Sequence, residues 1–134
     1  MKQHIFKPGA YVIGDPCYFI GDKNWDKVLE DTNFFGSPRV DGKPPKDWDE
    51  GLYHYKGESC FAYGTRWGDG EYYAPLLRES VGVDAGLIGI MPIFVCDTFP
   101  TVNELYIIRK FNREFKVWAE YGIFHFGVVE IDTN

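Results

Sequence analysis

Short runs of apolar and aromatic residues, each cut off by a glycine, a proline or a Gly–Asp pair, limit what this chain can fold into. Tyr11 to Ile13 stops at Gly14-Asp15-Pro16, Arg66-Trp67 leads into Gly68-Asp69-Gly70, and Val81 to Val83 gives way to Asp84-Ala85-Gly86. Runs of that length favour strands joined by tight turns over long helices. Fifteen glycines and eight prolines in 134 residues carry the same punctuation along the chain. Aromatic residues make up 18%, and their rings suit a pleated, half-buried surface. The expected class is therefore mainly β with α+β character: a curled or sandwiched antiparallel sheet with one or two short helices. One domain over residues 1–134 is expected.

Within that frame, the stretch from Asp22 to Thr32 carries the best helix signal, with Trp25, Val28 and Leu29 on one face. The spacing predicts a helix over about 25–30, with Asp22 or Asn24 available to cap it. Residues 33–51 carry three prolines and little periodicity, which predicts a long surface loop with a helical turn near Asp47. Leu52 to Thr65 reads as a hairpin turning at Lys56-Gly57, with Phe61 and Tyr63 on one face and Cys60 and Ala62 on the other. Gly68-Asp69-Gly70 has the composition of a hairpin connection. Thr101 to Phe115 is double-edged. Leu105, Ile108, Phe111 and Phe115 fit a helical stripe after a Thr101/Glu104 capping box, while Tyr106-Ile107-Ile108 suits a strand. The capping box favours helix. Phe115 to Asp132 reads as a hairpin turning at Gly122, with a bulge at Gly127.

Charge narrows the partners. The formal net charge of −6 disfavours general binding to nucleic acid or an anionic membrane. No stretch is apolar enough for a secretory leader or a membrane span. Cys17, Cys60 and Cys96 are odd in number and lack CxxC spacing, which argues for a reducing compartment and a cytoplasmic location. Against this acidic background Arg109 to Lys116 concentrates four cations, a solvated face or a small anion-binding patch.

The aspartates are the candidate site residues. Asp15 and Asp69 fit turn chemistry, whereas Asp84 stands out of pattern among Val, Gly, Ala and Leu and needs partners if buried. Together with Tyr63, Arg66, Trp67 and Tyr72, Asp69 and Asp84 compose a candidate ligand-binding set, in which rings beside a cation and carboxylates stack a base or a sugar. Asp15, Asp69 and Asp84 would alternatively serve as hard-cation ligands. Cys17 as a thiolate nucleophile would need a base, and His4, His54 and His125 are all distant in sequence. Neither a zinc spacing nor a phosphate-binding glycine loop is present, so no cofactor is expected. Whether the chain is an enzyme stays open.

"YVIGDPCYFI", "GTRWGDGEYY", "VGVDAGLIGIMP" and "FHFGVVEIDT", taken in order, resemble a family of small uncharacterised bacteriophage and prophage proteins. The likeness spans most of the chain, with Trp67 where a tyrosine more often precedes the Gly-Asp-Gly. It implies a viral protein made in a bacterial cytoplasm, and an accessory role towards host factors or host nucleotides. The first functional expectation is a module that binds a small polar or phosphorylated ligand, such as a nucleotide. The alternatives are a metal-assisted phosphoester hydrolase, and an interaction module that meets a host protein or forms a homo-oligomer.

Overall fold

The computed structural model describes residues 1–34, 45–75, 77–101 and 104–134. In chain order the strands are β1 (His4–Phe6), β2 (Gly9–Gly14), β3 (Leu52–Tyr55), β4 (Glu58–Gly64), β5 (Gly70–Ala74) and β6 (Glu79–Val83). They continue with β7 (Leu87–Pro92), β8 (Ile107–Phe111), β9 (Phe115–Glu120), β10 (Ile123–Phe126) and β11 (Val129–Asp132). A single α-helix, α1 (Asp22–Thr32), and two 3-10 turns, Pro16–Tyr18 and Ile93–Val95, complete the described elements. The chain is mainly β, as its runs and turns dictate.

The strands form a five-stranded sheet in the order β3-β4-β7-β2-β8, a four-stranded sheet β1-β9-β10-β11, and a β5-β6 ribbon. Every pairing is antiparallel. The ribbon packs beside β11, so it extends the layer that holds the four-stranded sheet. Between the two layers lies one core, in which Ile13, Phe61, Ile88, Ile90 and Ile107 face Val117, Phe124, Phe126 and Ile131, with Val81 and Val83 from the ribbon. Alternation along each strand turns the next residue the other way. Val12, Cys60, Ala62, Leu87 and Met91 therefore build a second core on the outer face of the five-stranded sheet, roofed by Phe19, Ile20, Val28 and Phe34. Burying each such side chain contributes about 1.5–3 kcal/mol.

Several local expectations change. The helix begins earlier than its apolar stripe, at Asp22, with Gly21 at the cap position and no side-chain cap. Asp22 and Asn24 lie inside the first turn, and the Asn24 amide is spent on Asp97 instead. No helix forms over the described residues of 101–115; Val102 and Asn103 lie outside the description. β2 offers a free ladder, and Ile107 to Phe111 takes it, which buries Ile107 and Phe111 and leaves Ile108 exposed. The rings of Phe111 and Phe115 then stack at 3.8 Å between centroids.

Gly127 is not a bulge. Phe126 pairs with Val129, so Gly127-Val128 is a two-residue turn, and Gly127 supplies the positive φ (62°) at its first position. Gly68-Asp69-Gly70 closes no hairpin either: β4 pairs with β3 and β7, and β5 with β6, so this loop crosses from one sheet to the other. The hairpins at Lys56-Gly57 and at Gly122 form as read.

Of the expected 33–51 loop, residues 35–44 lie outside the description. Its end closes locally, with Asp49 and Leu52 exchanging backbone bonds of 2.9 and 3.1 Å. Bends replace the helical turn expected near Asp47. The Asp47 carboxylate caps β3 by accepting from the His54 amide at 2.7 Å and pairing with the ring Nδ1 at 2.8 Å.

Candidate functional site

Gly14-Asp15-Pro16-Cys17 makes a turn that carries Asp15 inward until none of its surface is exposed. A bare buried carboxylate would be very costly, and this one is met by three backbone amides. Its Oδ1 accepts from Cys17 at 3.0 Å, and its Oδ2 from Asp84 at 3.0 Å and Ala85 at 2.7 Å. Both oxygens are thereby used to tie the β6–β7 turn to the end of β2. The aspartate that looked out of pattern, Asp84, is exposed instead. Its backbone is held by Asp15, and its Oδ2 accepts from the Tyr18 hydroxyl at 2.6 Å. Burial first, and then this carboxylate, pushes the Tyr18 hydroxyl well above the usual tyrosine range, so it stays a donor.

Asp84 opens onto a cleft of about 420 Å³ that Asp69 of the connecting loop, Glu71 of the ribbon, Tyr18, Glu104 and Leu105 also line. Leu105 is anchored there because its carbonyl accepts from the Gly82 amide at 2.9 Å. Glu71 and Glu104 also belong to the adjoining cavity of about 580 Å³, where Arg78, Glu79, Tyr73 and Tyr106 line the walls. The two volumes form one furrow along the β5–β6 ribbon. Five carboxylates and one guanidinium line it among the described residues. Glu71 is oriented by the Ser80 hydroxyl, which donates to it at 2.8 Å. A surface of this kind offers many acceptors beside aromatic rings. It suits hydrogen-bond donors and cations and opposes anions.

The six residues expected to bind ligand fall into three places. Asp69 and Asp84 share the furrow. Tyr72 packs against the inter-sheet core and donates to the Gly68 carbonyl at 2.8 Å, so it pins the loop that presents Asp69. Tyr63 lies elsewhere, with its ring 5.9 Å from that of Trp48, beside a hollow of about 200 Å³ that Glu120 and Tyr121 line. Arg66 and Trp67 form an exposed pair, guanidinium carbon 5.3 Å from the indole centre, and the Arg66 amide donates to Thr133 at 2.9 Å. Tyr18, Glu71 and Arg78 carry no site signal in the sequence, and Glu104 reads there only as a helix-capping residue. For Tyr18 and Glu71 the nearest pointer is position: the one directly follows the Asp15 turn, the other Gly70.

The expected alternative ligand set, Asp15, Asp69 and Asp84, does not assemble. No group of three or more His, Cys, Asp or Glu able to hold a metal ion occurs among the described residues. Burial, with Asp15 beside it, pushes the Cys17 thiol up to about 12, the reverse of an activated thiolate. The three histidines are engaged elsewhere. His54 is held by Asp47, His125 stacks on Trp118 at 4.1 Å, and His4 Nε2 lies 3.3 Å from the Glu50 carbonyl.

A second carboxylate hub serves structure. Asp97, after the Ile93–Val95 turn, accepts from the Gly21 amide at 2.8 Å, Asn24 Nδ2 at 3.1 Å, Lys56 Nζ at 2.7 Å and the Tyr55 hydroxyl. Burial would raise its pKa, but these donors prevail and hold it well below the usual carboxylate range. They knot the start of α1 and the β3–β4 turn to the end of β7.

No described helix is long and apolar enough to cross a membrane. Compared with family models, with characterised proteins and with solved structures, the chain matches none.

Proposed function

We propose that this chain is a phage-type accessory protein of the bacterial cytoplasm that binds a small polar ligand in the furrow along the β5–β6 ribbon. The observation that carries the reading is the use made of Asp15. A fully buried carboxylate fixes the backbone of Asp84 and Ala85, and Asp84 with Tyr18 then faces a cleft it shares with Asp69.

Of the two ligand chemistries expected from the sequence, the charge of the lining supports one over the other. Among the described residues, a phosphorylated ligand would meet five carboxylates and only Arg78 as a cation. A donor-rich ligand, an amine or an amino sugar, would find acceptors at Asp84, Asp69 and Glu104 and a ring face at Tyr18, Tyr73 or Tyr106. The polar, donor-rich arm is therefore favoured.

A thermal-shift series with spermidine, glucosamine, adenine and guanine nucleotides, and Mg²⁺ tests this. A ligand at about 100 times its Kd adds about 2.7 kcal/mol. The expected result is a rise in Tm with an amine, reduced in Asp84→Asn and in Glu104→Gln. A rise with nucleotides alone would transfer the reading to the phosphorylated arm, and a flat series would remove it.

A further inference from the structure

The basic run Arg109 to Lys116 has no place in the furrow. Its first part is β8, an edge strand of the five-stranded sheet. One side of β8 is paired with β2, and among the described residues no backbone hydrogen bond leaves the other side. Such an edge is a template for another strand. Along it Ile108 is 39% exposed. Ile108 and Lys110 alternate with Arg109, which faces the opposite way, its guanidinium 5.9 Å from the Phe111 ring.

The cations here lack ion-pair partners, as Lys23, Arg66 and Arg78 also do among the described residues, in a chain that has carboxylates to spare. Lys2, Lys7, Lys27, Lys46 and Lys56 each lie within 4.0 Å of a carboxylate. Among the described residues, none of Arg109, Lys110, Arg113 and Lys116 has such a partner. The only acid within the run is Glu114. An apolar groove of about 270 Å³ adjoins on the far side of β2. Ala10, the register partner of Lys110, lines it, and so do Phe94 and Phe99, which are 70% and 72% exposed.

We infer that β8 is a docking edge for an extended acidic segment of a partner protein, which adds as a sixth strand. Pairing puts an apolar side chain against Ile108 and carboxylates against Arg109 and Lys110, so the segment reads Glu-Glu-Val or the reverse according to its direction. Charge decides against the simplest other occupant: a second β8 paired antiparallel about this stretch would set Arg109 against the Lys110 or the Arg109 of its copy, and like charges directly opposite are destabilising. The backbone edge favours a strand over nucleic acid, which would use the cations and leave the unpaired amides and Ile108 idle.

The test follows backbone amide exchange by NMR while the native protein is titrated with a short capped peptide centred on Glu-Glu-Val. Its Lys-Lys-Val counterpart and an N-methylated Glu-Glu-Val peptide that cannot pair are run beside it. The expected result is new protection confined to β8 amides, binding about tenfold weaker for the lysine peptide, and no protection from the N-methylated one. The double variant Arg109→Glu, Lys110→Glu should exchange the preference between the two charged peptides. If that variant does not fold, the N-methylated comparison on the native chain still decides. Equal binding of methylated and unmethylated peptides would overturn the inference, leaving a charge sink. So would displacement of the peptide by a single-stranded oligonucleotide at lower concentration. Protection of β8 without peptide, at twice the monomer mass, would assign the edge to a second copy and overturn it as well.

Discussion

The Asp15 carboxylate lies 2.7 Å from the amide of Ala85, across 70 residues of chain, and 3.0 Å from the amide of Asp84. This contact joins the end of β2 to the β6–β7 turn inside the protein. Asp15→Ala leaves three amides without their acceptor, and Asp15→Asn turns a donor towards donors. Asp15→Ala should cost about 3 kcal/mol in urea unfolding, with Asp15→Asn close behind. A loss below about 0.5 kcal/mol would mean that the carboxylate is not holding the turn.

Asp97 should leave a signature in acid. Its folded pKa lies below the unfolded value of about 3.9. Its contribution is therefore complete above the unfolded value and disappears as pH falls through the folded one. At neutral pH Asp97→Asn should be less stable by on the order of 2 kcal/mol, reduced to the extent that water screens the site. Below about pH 4 the native protein should lose stability more steeply than the variant, so the two curves converge. Parallel curves would show that Asp97 is not the group being titrated.

All three thiols should be sluggish. Burial pushes Cys17 and Cys96 up to about 12 and Cys60 higher still. At pH 8 the folded protein should react with Ellman's reagent far more slowly than the urea-unfolded chain, which should release three equivalents. A single fast thiol in the folded state would reopen a nucleophilic role for Cys17.

Two glycines should respond differently to alanine. At Gly89 in β7 a Cβ would come within 2.0 Å of the Phe61 carbonyl oxygen on β4, and that obstacle is backbone. Gly89→Ala should cost about 3 kcal/mol or prevent folding. At Gly57 nothing lies within 4 Å, and only the positive φ of 80° is strained. Gly57→Ala should cost about 1 kcal/mol. Equal losses in chemical denaturation would contradict the close β4–β7 approach.

Much of the local structure could be read from the chain because it depends on neighbours in sequence. Tyr53 and Tyr55 alternate with Leu52 and His54, and Lys56-Gly57 turns. Phe61 and Ala62 then part to two different cores, because strand geometry alone sends successive side chains to opposite faces. The same holds for the hairpin at Gly122 and for the mainly β class. Ile107 to Phe111 is ambiguous in sequence because its helical stripe and its strand alternation are equally good over so few residues. The free side of β2 decided between them.

The furrow depends on contacts no local pattern contains. Asp15 and Asp84 both read as turn or site residues, but their sequence could not say which would be buried. One became a wholly enclosed acceptor for three amides, and the other an exposed group at the mouth of a cleft. Tyr63, Arg66 and Trp67 lie within a few residues of Asp69, yet the Gly68-Asp69-Gly70 loop changes sheets and leaves them outside. Turn type and strand period are set by residues a few positions apart. Which carboxylates share a cleft is set by which distant backbones must satisfy one another's buried polar groups.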